Sequence, residues 1–477
     1  MRTGTHLRTS ETIGDQTSRP SASAGAGSRM TAAAAAPVSR RAAIVGGVVV
    51  LGAGLAGSAA LWARASDAAE TSVVATADAT SAGMPPTEGA AGGVPGEQAT
   101  VSTASSAMVG RDDLLDTTDL FTERDLAQTP DLSAATTLTV TDGQDVTVTT
   151  EGVYVLSGAA TDATVIVTAT DAKVQLVLSG LSVTNADAPA IYVKDADKVF
   201  VTTTGDVGSA LGVTGAFVPD GETDLDAVIW SASDLTLNGT GTLALSAAQG
   251  HGVVCKDDLA VTGGTYDVTS GSHGLKAHDS VCVCGGSLTI DAGSDGIHAE
   301  DADDATGFVY VSGGDLSITA ASQGIRATTV VMIDDGTLDV SAAEGIEATY
   351  VQVNGGTIAI AASDDGVNAT ANSQALGVVA EFNGGDVTIQ TGAGDTDAVD
   401  ANGSIYVNGG TLTITSSTSA FDYDQTGVIS GGTVTVNGEQ VTEMPSGMAG
   451  RAGGAGGRAG GADAGAGQAA GAPVSRA

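Results

Sequence analysis

Apolar and polar positions between Gly252 and Gly438 follow one pattern that returns again and again. A small residue opens each unit, at Gly252, Gly274, Gly296, Gly324, Gly345, Gly366 and, in relaxed form, Ala398; the gaps are 22, 22, 28, 21, 21 and 32 residues. An aliphatic residue, a variable polar residue and an Ala or Cys follow. Then come two alternating apolar runs divided by a glycine pair, as at Gly263-Gly264, Gly285-Gly286, Gly313-Gly314 and Gly355-Gly356. The pair is altered once, at Asp335-Gly336. The alternation has period two, as in Leu288/Ile290, Leu316/Ile318 and Leu412/Ile414, which predicts strands. No helical stripe survives the glycines, each of which costs about 1 kcal/mol inside a helix. A unit this short cannot bury its apolar face alone and must stack on its neighbours. The expectation is an all-β, right-handed parallel β-helix, a solenoid of roughly 22-residue rungs with three short strands each, in which equivalent residues form columns about 4.8 Å apart. Cys255, Ala277, Ala299, Ala327, Ala348, Ala369 and Ala401 then line one tight corner.

The rest of the chain divides by composition. Residues 1–39 read as a disordered leader, with Met30 as an alternative start. Residues 40–65 carry Arg40-Arg41, an uncharged run over 42–63 and the cleavage-site pattern Ala63-Arg64-Ala65. That predicts an export signal, by the paired arginines a twin-arginine one, or else an uncleaved membrane anchor. Residues 66–111 read as a flexible linker, 112–445 as the folded domain and 446–477 as a Gly/Ala-rich disordered tail. Weaker strands fill 132–204, and the acidic stretch 112–130 is expected to cap the solenoid's open end.

Charge narrows the chemistry. The formal net charge is −38, and 42 acidic but only six basic residues fall within 131–445. Such a surface repels phosphate backbones, which excludes nucleic acid as a partner and leaves membrane contact to the N-terminal segment alone. Cys255, Cys282 and Cys284 have neither CxxC nor zinc spacing and are read as packing residues.

Two polar columns flank the small corner. His251, His273, Asp295, Gln323, Glu344, Asp365 and Asp397 precede the opening residue, and Val254, Lys276, His298, Arg326, Glu347, Asn368 and Asp400 follow it by two. Toward the C-terminal end they become rich in oxygen donors: Asp364, Asp365, Asn368, Asp395, Asp397, Asp400 and Asn402, then Asp422 and Asp424. Asp295, Glu300 and Asp301 form a second acidic group with Asp303 and Asp304. Stacked carboxylates repel unless neutralised, and Ca2+ accepts 6–8 oxygens in flexible geometry, so Ca2+ is the expected cofactor. A zinc site at His251, His273 and His298 is set aside, because the expected rungs place them in different columns. Tyr310 and Tyr406 share an outward register where rings stack on sugars or fill grooves between rungs.

The ordered motifs Asp-Gly-Ile-His-Ala-Glu-Asp (295–301), Glu-Gly-Ile-Glu-Ala-Thr-Tyr (344–350), Ser-Asp-Asp-Gly-Val-Asn-Ala (363–369), Gly-Ala-Gly-Asp-Thr-Asp-Ala-Val-Asp-Ala-Asn-Gly (392–403) and Ala-Phe-Asp-Tyr-Asp (420–424) resemble a known family. It is that of the secreted bacterial carbohydrate-binding parallel β-helix proteins, whose fold is related to pectate lyases. The resemblance implies bound Ca2+ and affinity for plant cell-wall polysaccharide, both cellulose and acidic pectic sugars such as polygalacturonate. With the export signal it supports a non-catalytic protein, secreted or at the cell surface; the polar column and the outward tyrosine register offer Lys276, His298, Arg326, Tyr310 and Tyr406 as the residues that would meet the glycan. Ala398 departs from the family's glycine and adds a methyl beside the expected metal. Two alternatives stand beside this reading. One is a Ca2+-dependent pectate-type lyase with Lys276 or Arg326 as the base, and the other is a structural surface adhesin with no defined glycan.

Overall fold

The computed structural model describes residues 114–444, apart from 206, 222, 302–305 and 395. The leader, the export segment, the linker and the C-terminal tail lie outside the described residues. So do Asp303, Asp304 and Asp395.

Every alternating run forms a strand, and the inward members make one continuous aliphatic core from Val140 to Val434. The strands join into two sheets of 21 and 12 strands, parallel except for the closing Glu439–Val441 strand against Thr433–Val436. The expected right-handed β-helix of three separate short strands per rung is corrected by the pairing. The Lys173–Asn185 strand pairs through its first half with Lys198–Thr203 and through its second with Ser209–Val213. One branch continues through Asp234–Gly239 to Asp258–Val261, the other through Thr242–Ala247 to Thr265–Ser270. Both end on Ser280–Ala292. The circuit therefore closes as a parallel barrel of eight strands, continuous with the rest of the 21-stranded sheet and beside the separate 12-stranded one.

The physical reason lies at the glycine pairs. They were expected to end strands, yet Ser280–Ala292, Phe308–Ala320 and Val330–Ala342 run through them as single strands of 13 residues. The register shifts at the pair, between Val283 and Cys284 and again before Ser287. The second glycine supplies the bend in a left-handed conformation, with φ of 91° at Gly286 and 118° at Gly336. Asp335 can replace the first glycine because only the second needs positive φ.

Residues 114–130 do not cap an end. They run along the flank of the large sheet. Leu114, Leu115 and Phe121 pack against Cys282, Phe308, Tyr310, Met332 and Tyr350. The short helix Glu123–Leu126 carries a capping box between Thr122 and Asp125. Asp125 is fully buried and pairs with Lys198 at 2.8 Å. It also accepts from Thr236 Oγ1 at 2.6 Å, while Gln128 Oε1 accepts the Gly239 N–H at 2.9 Å. We call this segment the strap.

Candidate functional site

The twelve-stranded sheet presents the polar column. Val254, Lys276, His298, Arg326, Glu347, Asn368, Asp400 and Asp422 follow one another in register along successive strands. Their neighbours on either side, such as Ile297 and Ala299 around His298, are fully buried, so alternation turns the column residue away from the core. Lys276 Nζ lies 2.6 Å from Glu300, and Arg326 Nε lies 3.5 Å from Glu347. Glu347 also accepts from Gln323 at 2.8 Å and from Asn372 at 2.9 Å. A groove of about 550 Å³ opens here, lined by His278, His298, Glu300, Asp301, Arg326 and Asn372. Imidazole, guanidinium, carboxylate and amide groups on one wall suit a polyhydroxylated ligand, with cations placed for an acidic substituent.

The carboxylate stretch lies farther along the same sheet. Asp365 Oδ1 accepts the backbone N–H of Asp397 at 2.8 Å. Burial, and then the charges of Asp365, Asp397, Asp422 and Asp424, push Asp400 up to about 7. Burial also raises Glu344; the Asn368 hydrogen bond opposes it, and Glu347, Asp365 and Asp364 add to it. Asn368 donates to Glu344 at 3.1 Å, but its Oδ1 is buried without a partner. Asp365, Asp397 and Asp400 crowd one another electrostatically, but they are not among the sets of described residues whose ligand atoms lie within 4.8 Å of one another. Asn402 Oδ1 already accepts from Thr370 at 2.9 Å, and Asp364 points to solvent.

Of the second expected acidic group, the described members Asp295, Glu300 and Asp301 each face different partners. Asp295 faces two histidines, Glu300 faces Lys276, and Asp301 accepts from Thr306. The histidines meet: His251 stacks on its column neighbour His273 at 4.9 Å, and His273 meets His298 of the other column edge-on at 4.7 Å. Neighbouring strands bring the two columns within one ring's reach, which the columnar picture of the sequence did not allow for. Asp295, only 2 % exposed, takes a 2.6 Å hydrogen bond from His298 Nδ1. Burial alone would raise Asp295, but the close approach of the His273 and His298 rings holds it well below the usual carboxylate range. Among the described residues, three sets bring ligand atoms within 4.8 Å of one another: His273, Asp295 and His298; His278, Asp279 and Asp301; and Asp234, Asp257 and Asp258.

Tyr310 lies beneath the strap, 6 % exposed, with its hydroxyl on Asp334 at 2.7 Å, and Tyr406 packs beside the same cluster. Neither ring is placed in the groove. Ala398 is fully buried in the aliphatic core, so its methyl points away from the carboxylates. His278 was missed; its one signal was its place directly after Ala277, beside Asp279, to which it is hydrogen-bonded at 2.7 Å.

The family model for carbohydrate-binding domain-containing proteins matches residues 142–398, more than half of the chain. The chain belongs to this family. A carbohydrate-binding domain-containing protein of Acetivibrio thermocellus is 32 % identical over 130 residues, which is 26 % of this chain and 45 % of that protein. The chain thus spans less than half the length of that relative. Among solved structures, a polysaccharide lyase-like protein from C. thermocellum, a gadolinium derivative, is similar at 26 % identity and a TM-score of 0.41, covering 47 % of this chain and 93 % of that one. The groove and the carboxylate stretch of this carbohydrate-binding family member lie on one sheet, and the matched region includes all of their residues except Asp400, Asn402, Asp422 and Asp424.

Proposed function

We propose that the chain binds acidic plant cell-wall polysaccharide, of the polygalacturonate type, along the polar column of the twelve-stranded sheet without cleaving it, and that Ca2+ in the carboxylate stretch takes part. The observation that carries the reading is the column itself. Lys276, His298 and Arg326 pass in register into Glu347, Asn368 and Asp400, so cationic and oxygen-donor groups line one track. A galacturonate carboxylate can meet Arg326 at the groove or complete the shell of a Ca2+ held by Asp365, Asn368, Asp397 and Asp400. Bridging by Ca2+ also explains how so acidic a chain would hold an acidic polymer. Cellulose, the neutral alternative, would need only hydroxyl hydrogen bonds in the groove.

The non-catalytic reading is supported by the engagement of both expected bases, Lys276 with Glu300 and Arg326 with Glu347. Display outside the cell, secreted or surface-bound, belongs to the same proposal and rests on the leader sequence. The test is binding of the full chain to polygalacturonate and to cellulose, with Ca2+ and with chelator, while unsaturated uronate is followed by absorbance. Ca2+-dependent retention on polygalacturonate without product is expected. Product formation would make the protein a lyase, and retention on neither polymer would remove the glycan reading.

A further inference from the structure

The His273–Asp295–His298 cluster lies away from the carboxylate stretch, and its chemistry differs. We propose that it binds one divalent transition metal ion of the Zn2+ class, through His273 Nδ1, Asp295 Oδ2 and His298 Nδ1. Two imidazole nitrogens and one carboxylate oxygen are a borderline-soft donor set, whereas Ca2+ takes oxygen alone. The three atoms lie within 4.8 Å of one another, and His273 Nδ1 is 3.2 Å from Asp295 Oδ2. That separation is close to the edge of a tetrahedron with metal–ligand bonds of about 2.0–2.1 Å, roughly 3.3 Å.

The surroundings are those that orient metal ligands. Asp295 Oδ1 accepts the Gln323 N–H at 3.2 Å, which fixes the carboxylate and leaves Oδ2 toward the rings. His298 Nε2 lies 3.6 Å from Glu300, a carboxylate placed behind the imidazole on the side opposite its Nδ1. His273 Nδ1 accepts the Asp295 backbone N–H at 3.2 Å, and since a backbone amide only donates, this nitrogen carries a lone pair rather than a proton. One proton must move: that now held in the 2.6 Å contact between His298 Nδ1 and Asp295 Oδ2. Neutral His298 can carry that proton on Nε2 instead, on the Glu300 side, and the ion takes its place at Nδ1. His298 also lines the groove, which gives the ion a path from solvent.

The experiment is titration of the untagged full chain with Co2+, followed by visible absorption, and with Zn2+ by calorimetry, both in excess Ca2+. The expected result is one ion per chain, an intense four- or five-coordinate Co2+ band, and no displacement by Ca2+. His298→Ala and His273→Gln should each weaken Zn2+ binding at least 100-fold. His251→Ala should leave it unchanged, because that ring stacks on His273 without joining the set. Circular dichroism checks that each variant folds, and Asp295→Asn replaces any that does not, with the same loss expected. Full competition by Ca2+, a weak octahedral Co2+ spectrum, or unchanged binding in folded His298→Ala and His273→Gln variants would overturn the site. Glycan binding enters none of these readouts.

Discussion

At the scale of single residues, the buried charges make the sharpest demands. Asp125 contacts Lys198, Thr236 and the helix cap while fully buried. Removing one partner of a buried pair typically costs about 3–5 kcal/mol, because the other charge is left unpaired. Asp125→Ala should therefore lose stability of that order in denaturant unfolding, and adding Lys198→Met should recover much of it. Burial pushes the Asp125 carboxyl up, but the charge of Lys198 and the hydrogen bonds from Lys198, Thr236 and Thr122 leave it below its usual value. Its contribution is thus present above the unfolded pKa of about 3.9 and is lost as pH falls through the lower folded value.

Asp257 and Asp258, which sit beside Asp234 and Asp279, behave oppositely. Burial first, then Asp234, Asp258 and Asp279, raise Asp257, while Asp258 is pushed up to about 6. The folded state binds these protons more tightly than the unfolded chain does, so stability should decline as pH rises from about 4 through 6 and beyond. Melting temperature against pH should show that decline in the wild type and a shallower one in Asp257→Asn. Asp257 and Asp258 stand in the family-like motif Val254-Cys255-Lys256-Asp257-Asp258, but in sequence none of the four carries a sign of burial. The Asp365–Asp400 series was legible, because its members recur at fixed offsets from the opening glycine.

At the scale of elements, strand positions and register were legible because period-two alternation and the glycine offsets encode them directly. Lys276, His298 and Arg326 pair as their spacing requires. What alternation could not reveal is whether a chain bends or breaks at a glycine pair. That choice set the sheet count and closed the eight-strand circuit. The strap was misplaced for a related reason: Leu114, Leu115 and Phe121 announce a need for apolar cover but not its address. The opening glycines are held by space. A Cβ on Gly324 would sit 2.2 Å from Val340 Cγ1 and 2.7 Å from the Gly345 carbonyl oxygen. Gly324→Ala should cost about 1–3 kcal/mol in chemical unfolding, with partial recovery on adding Val340→Ala. A neutral result would mean that adjacent strands separate more easily than the packing implies.

At the scale of the whole molecule, charge and function meet. A net charge of −38 with six basic residues in the folded region makes a phosphate backbone an unfavourable partner, and the chain belongs to a carbohydrate-binding family. The site was only partly legible. The column was visible, but the groove was not, since it depends on His278 and Asn372, which come from turns outside the repeating pattern. Nor was the burial of Tyr310, which takes a flanking segment to produce. The measurement closest to the central claim is the affinity of the full chain for polygalacturonate, with Ca2+ and with chelator, for the wild type and for Asp397→Asn/Asp400→Asn. The account predicts that chelator weakens wild-type binding at least tenfold and that the double variant binds weakly with or without Ca2+. Equal wild-type affinity in Ca2+ and chelator, or a double variant that keeps its Ca2+ response, would contradict it.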